Sequence, residues 1–193
     1  NDTTVFGEVL HKLTFGEAIH YDPEPLLNDY RVLVIGVDEP MVKRLIKNYE
    51  LVNFEDSETT DARTLAAKVA VIKAMKDYDL KRVISFHSKR ETSRIFSETF
   101  LDTINFIDEN ERPTGVILAD YVTGKMKASV RKTKIKHLKE LSGIDRGLLA
   151  NARCLSEGVD VPSLDGVAFI DPKGSQVDII QSVGRAIRKV RGA

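Results

Sequence analysis

From Arg31 onward the chain alternates short apolar runs with segments of helical periodicity. Arg31 to Val37 is a continuous apolar run, the pattern of a strand covered on both faces. Asp38 then precedes a helix through Tyr49. Asp61 is placed to cap the next helix, in which Leu65, Val69, Ile72 and Met75 recur on one face. Arg82 to Phe86 predicts a strand, and Lys89 to about Ile104 a helix. Gly115 to Val122 predicts another strand, Lys125 to Leu141 a basic helix, and Asp145 to Ala150 and Gly166 to Ile170 two short strands. Ser175 is placed to cap a last helix. Strands alternating with helices predict an α/β fold, a parallel sheet with helices on both faces. Residues 1 to about 30 do not read as a compact element. Gly7, Gly16, Pro23 and Pro25 punctuate them, and only Phe15 to Ile19 suggests a helical turn.

Composition narrows the class. A chain of 193 residues, 42% hydrophobic and 30% charged, has enough interior for one full core and is too apolar for disorder. No apolar run approaches the roughly 20 residues that cross a bilayer, and no signal-peptide pattern opens the chain. The single cysteine, Cys154, can form neither an internal disulfide nor a zinc site alone, which fits a reducing, cytoplasmic setting. No metal site is expected. The formal net charge is zero, but the charge is unevenly spread. Lys125 to Lys139 holds seven Lys and Arg and no acid, and the chain end adds Arg185, Arg188, Lys189 and Arg191, whereas Glu50 to Asp61 is acidic. A neutral total is compatible with a basic groove.

Three blocks carry candidate chemistry. The first is Gln181-Ser-Val-Gly184-Arg185-Ala-Ile-Arg188, in which two arginines three apart share a helix face. Each presents a rigid fork of donors that fits phosphate oxygens. The plain alternative is a solvated basic helix end that complements the helix dipole. The second is Asn151-Ala-Arg-Cys-Leu-Ser156-Glu-Gly158-Val-Asp160-Val-Pro162. Gly158 permits an unusual backbone angle there. Asp160 also suits a turn bonded to its own backbone, and Asn151 and Ser156 also suit helix caps. The third is Phe86-His87-Ser88-Lys89-Arg90, a strand end opening into a helix. Such a helix start binds phosphate through its free N–H groups and dipole. Capping by Ser88, with Lys89 and Arg90 merely solvated, is the alternative. His87 has no partner at metal-ligand spacing. Phosphate-loop, acidic-box, nucleophile-elbow and H-E-x-x-H patterns are absent.

Taken in order, the three blocks resemble motifs VI, V and IV of superfamily 2 helicases and translocases. The stretches Val5 to Val32, Asn151 to Pro162 and Asp171 to Gln181 resemble the branch related to motor subunits of type I and type III restriction enzymes. The resemblance covers about residues 31 to 193. It implies a RecA-like (P-loop NTPase-like) domain, the second motor lobe, without a phosphate loop of its own. Residues 1–30 would then connect to a first lobe that is missing here, and the chain would be a piece of a longer protein.

The resemblance further implies roles for single residues. Arg185 and Arg188 would reach the γ-phosphate of ATP across an interlobe cleft, and Gln181 would orient water or a phosphate oxygen. Gly158, Asp160 and Gly184 would border the nucleotide. Ser88, Lys89, Arg90, Thr123, Gly124, Asn151 and Ser156 would contact the nucleic-acid backbone. ATP and Mg²⁺ would be held mainly by the first lobe, so this chain alone would not hydrolyse ATP. DNA is the expected partner. An RNA helicase lobe, and a non-catalytic nucleic-acid-binding module of the same fold, are the competing expectations.

Overall fold

The computed structural model describes residues 12–37, 40, 42–44, 47, 62–152, 164–171, 179–180, 183–184 and 187. Among these residues the centre is a four-stranded parallel sheet in the order β2-β3-β1-β4. The strands are β1 (Arg82–His87), β2 (Ile117–Thr123), β3 (Arg146–Ala152) and β4 (Gly166–Phe169). Registers such as Ile84 opposite Leu149, Ala119 opposite Leu148 and Ile84 opposite Val167 fix which side chains share a face. The helices are α1 (Phe15–Ile19), α2 (Ala62–Asp77), α3 (Arg90–Glu98), α4 (Phe100–Phe106) and α5 (Ala128–Lys139).

Successive strand residues point to opposite faces, and both faces are covered. Val83 and Leu148 join Leu65, Val69, Ile72 and Met75 of α2 and Phe96, Phe100 and Ile104 of α3 and α4 in one core. Ile84, Phe86, Leu149 and Val122 meet Ile135 and Leu138 of α5 in a second core on the other face. The apolar stripe expected in α2 is thus the stripe that is buried. The same helix also buries Lys68 completely, its ammonium donating to the Thr99 hydroxyl.

Three expected elements differ. The helix expected from Lys89 to Ile104 is two helices, broken at Thr99. The Thr99 hydroxyl bonds back to the carbonyl of Ile95 at 2.6 Å, a contact that bends helices. The strand expected from Gly115 starts at Ile117. Gly115 has φ +89°, and a Cβ there would lie 2.1 Å from the carbonyl oxygen of Ile144, so this position turns the chain rather than extending it.

The strand expected at Arg31 to Val37 is absent. That run is irregular, and Val32 and Val34 are 80% and 95% exposed. It lies across an apolar groove of about 750 Å³ from α2 and β4. The edge strand β4 offers only four residues to a seven-residue run, so the apolar side chains line a groove instead of joining the ladder. Val37 alone of the run packs against the larger core.

The helical turn expected at Phe15 to Ile19 is present as α1. The hydroxyl of Thr14 accepts from the Glu17 amide and the Glu17 carboxylate accepts from the Thr14 amide, a reciprocal cap. Pro40, Val42 to Arg44 and Lys47 are helical, as expected after Asp38. The expected caps Asp61 and Ser175 lie outside the described residues.

Candidate functional site

Because all four strands are parallel, their carboxyl ends share one edge of the sheet. The chain leaves β1 toward β2 on one side and leaves β3 toward β4 on the other. The carboxyl ends of β1 and β2 therefore lie on either side of the β3 end, at the edge where open α/β sheets bind their ligands.

Ser88, Lys89 and Arg90 follow β1 at this edge. Lys89 is the N-cap of α3 and its side chain makes no capping bond, so the first-turn amides keep their donor capacity. Thr123 ends β2, and Gly124 and Lys125 follow it. Lys89, Arg90 and Arg94 of one element and Tyr121, Thr123 and Lys125 of the other line a cleft of about 470 Å³, together with Glu91. Four cations therefore face one carboxylate. Arg94 is engaged with Glu91 and Glu98, and its hydrogen bond holds the Glu91 carboxyl below the usual range. Lys89, Arg90 and Lys125 have no carboxylate partner among the described residues. The cleft is left with a net positive lining, suited to a polyanion.

Ser88 is turned another way. Its amide and its hydroxyl both donate to Asp171, just beyond β4, at 2.7 and 2.9 Å. Partial burial pushes the Asp171 carboxyl up. The two Ser88 bonds, with His87 and Arg63 nearby, outweigh this and hold it below its ordinary value. His87, at the end of β1, is buried, its Nε2 2.9 Å from the Ser85 hydroxyl and its ring 4.8 Å from that of Phe96. Burial pushes the imidazole down to about 4, against the opposing pull of Asp171, so it is neutral near pH 7.

The other expected residues scatter. Thr123 is buried, with its carbonyl accepting from the Met126 amide at 3.1 Å, and Gly124 is exposed beside it. Asn151 is 1% exposed, in register with Phe86 and Val122 within the sheet, so it is not brought to the cleft surface. Gly184 lies against α1: a Cβ there would be 3.3 Å from Cζ of Phe15. Gln181, Arg185, Arg188, Ser156, Gly158 and Asp160 lie outside the described residues. Among the described residues no group of three or more His, Cys, Asp or Glu is placed to hold a metal ion, and no helix is long and apolar enough to cross a membrane.

Sequence reasoning passed over Tyr121, Arg94 and Asp171. Arg94 sits one turn after Arg90 in α3, and i, i+4 spacing was a usable signal for it. Asp171 comes two residues after β4, at the carboxyl edge of the sheet. The basic helix α5 is only partly a solvated face, since Lys134 turns inward to Asp120 and over the Tyr121 ring at 5.1 Å.

Residues 67–190 match the helicase conserved C-terminal domain family. Among solved structures, the chain is similar to the ATP-dependent Type ISP restriction-modification enzyme LlaBIII bound to DNA, with a TM-score of 0.75 and 28% identity. That likeness covers 99% of this chain and 13% of the enzyme, so the chain spans a small part of its length. It is also similar to the C-terminal part of the Fun30 ATPase domain, with a TM-score of 0.50 and 16% identity over 77% of this chain and 45% of that one, a likeness of fold alone. No curated protein matches the chain.

Proposed function

The chain belongs to the helicase conserved C-terminal domain family and has the RecA-like fold of superfamily 2 motors, and from that premise we propose that it is the second motor lobe of an ATP-dependent DNA helicase or translocase. The observation that carries this reading furthest is the positively lined cleft at the carboxyl edge, between the start of α3 and the end of β2. Lys89, Arg90 and Lys125 grip one strand through its phosphates, with Thr123 and Gly124 beside them. The uncapped first turn of α3 adds oriented amides to the same surface.

Ser88 contributes by holding the β1 end to Asp171 rather than by touching phosphate itself. Asn151, buried near the end of β3, stands behind this edge, and Ser156 is the other backbone contact of the motif V block.

ATP and Mg²⁺ would be held mainly by a first lobe on the same protein, and ATP would supply the γ-phosphoryl group to be transferred to water. Arg185 and Arg188 stabilise the charge that develops on that group, and Gln181 orients the water. Gly158 and Asp160 of the motif V block border the nucleotide. With its arginines but no phosphate loop, the chain alone is inactive as a hydrolase. Alternate grip on the phosphate backbone as the lobes close and open moves the protein along DNA. The match to a DNA-bound restriction-modification enzyme favours DNA over RNA as the track, and a cytoplasmic setting suits that substrate.

The grip is tested by DNA binding of the full-length protein across a salt series. Removing one phosphate-neutralising cation reduces the slope of log K against log salt by about 0.7 to 0.9. Lys89→Ala, Arg90→Ala and Lys125→Ala should each lower the slope by about that amount, with no change in sequence preference. Slopes unchanged in all three would place the DNA elsewhere.

A further inference from the structure

We propose that the amino-terminal segment is a strap that positions the two motif VI arginines, with Phe15 as its positioning residue; this rests on the reading of Arg185 and Arg188 as arginine fingers. Two contacts fasten the segment to the arginine-bearing stretch, each at the residue immediately before an arginine. The Phe15 ring lies so close to Gly184 that a Cβ there would meet Cζ at 3.3 Å and Cε1 at 3.4 Å. The next residue is Arg185. The Asn28 amide donates to the carbonyl of Ile187 at 2.8 Å, and Ile187 is buried. The next residue is Arg188.

The strap is itself braced. Thr14 and Glu17 close the start of α1 reciprocally. The Ala18 carbonyl accepts from both the Leu26 and the Leu27 amides, at 2.8 and 3.3 Å, which folds the chain back from α1 toward Asn28. Phe15 and Tyr30 meet edge to face at 6.3 Å, tying the two ends of the fold-back together. One compact unit therefore holds both contact points, and their spacing is set by α1 and its return loop.

Gly184 gains a second role from this arrangement. A glycine in an arginine motif reads naturally as clearance for phosphate. Here a Cβ would press on an aromatic ring from the far end of the chain, which would have to give by a few tenths of an ångström, so glycine lets the strap seat without displacement. A fingertip arginine works only at its proper distance from the transferred phosphoryl group, so loosening the strap should cost turnover while leaving nucleotide affinity alone.

The test is made in the full-length protein by DNA-stimulated ATPase kinetics. Phe15→Ala should lower kcat by about ten- to a hundredfold, the scale of a misplacement near 1 Å. KM for ATP should stay within about twofold, the signature of an interaction made only in the transition state. Gly184→Ala should lower kcat severalfold, and Gly184→Ala combined with Phe15→Leu, whose side chain is shorter, should recover most of that loss. Such rescue marks direct coupling, whereas independent sites add.

A readout separate from activity is amide exchange over residues 183–188, which Phe15→Leu should speed while the thermal midpoint holds. If Arg185→Ala abolishes turnover while Phe15→Ala stays within about twofold of the parent, the strap is overturned and the finger reading stands. Additive losses in the double variant, or unchanged exchange over 183–188, also overturn it. If Arg185→Ala leaves turnover intact, both fall.

Discussion

Asp171 accepts two hydrogen bonds from Ser88, one from the backbone amide at 2.7 Å and one from the hydroxyl at 2.9 Å. They join the carboxyl ends of β1 and β4, the strands that pair at this edge of the sheet. With both of these donors directed at a carboxylate, Ser88 acts as a brace for the loop that carries Lys89 and Arg90.

Ser88→Ala should therefore affect the fold more than the DNA. Loss of the hydroxyl bond should cost about 1 kcal/mol of stability. The Asp171 carboxyl is held below its ordinary value in the fold, so its stabilisation is present above the unfolded pKa and is lost as pH falls through the folded one. In Ser88→Ala that pKa should rise toward the ordinary carboxylate range, as followed by carboxyl NMR titration. DNA affinity should move less than in Lys89→Ala.

His87 should make the chain acid-sensitive in a defined window. Its folded pKa is about 4, below the ordinary 6.5, because burial disfavours the imidazolium. The unfolded chain therefore binds a proton that the folded chain refuses between these values, and stability falls as pH drops through them. Between pH 7 and pH 5 the loss from this group should be about 2 kcal/mol. His87→Gln, which does not titrate, should lack that part of the loss. Equilibrium unfolding of the two proteins at both pH values measures the difference directly.

Arg146 fastens the opposite edge of the sheet. It is 3% exposed and donates to the carbonyls of Thr114, Met75 and Leu80 at 2.9, 3.1 and 2.9 Å, and to the Asp79 carboxylate at 2.6 Å. The guanidinium thus joins the end of α2, the turn after it and the approach to β2 onto the first residue of β3. Arg146→Ala strands the buried Met75 carbonyl and two part-buried ones and should cost about 3 kcal/mol. Arg146→Lys should recover only part, because an ammonium cannot reproduce the planar fork. Denaturant unfolding checks both, and DNA binding by the folded fraction should be unchanged.

Much of this architecture was legible in the sequence because burial on two faces leaves a strong trace. The runs at Arg82 to Phe86 and Asp145 to Ala150 are central strands, and their apolar density reflects cover by α2 to α4 on one side and α5 on the other. The run at Arg31 to Val37 has the same density and forms no strand, since an apolar run reports a wish for burial and not the presence of a free ladder partner. Long-range polar bonds were invisible for a related reason. Nothing local marks Ser88 for Asp171, 83 residues away, or Arg146 for Asp79, 67 residues away. Lys89 and Arg90 were legible as a strand end opening into a helix, whereas the cleft needed Tyr121 and Lys125 to come alongside from a strand two places away. Asn151 read as a surface contact because a motif does not show which way a strand residue faces.

If Arg185 and Arg188 act as positioned fingers on ATP held by a first lobe, their loss shows in the DNA-stimulated ATPase turnover of the full-length protein. Arginine fingers contribute about 10³- to 10⁵-fold to turnover in phosphoryl transfer. Arg185→Ala and Arg188→Ala should each collapse kcat toward that extent with ATP affinity little changed, Arg185→Lys should rescue poorly, and Arg191→Ala should be near neutral. Turnover within a few-fold of the parent in folded Arg185→Ala and Arg188→Ala proteins, or equal damage from Arg191→Ala, would mean that neither arginine is a positioned finger.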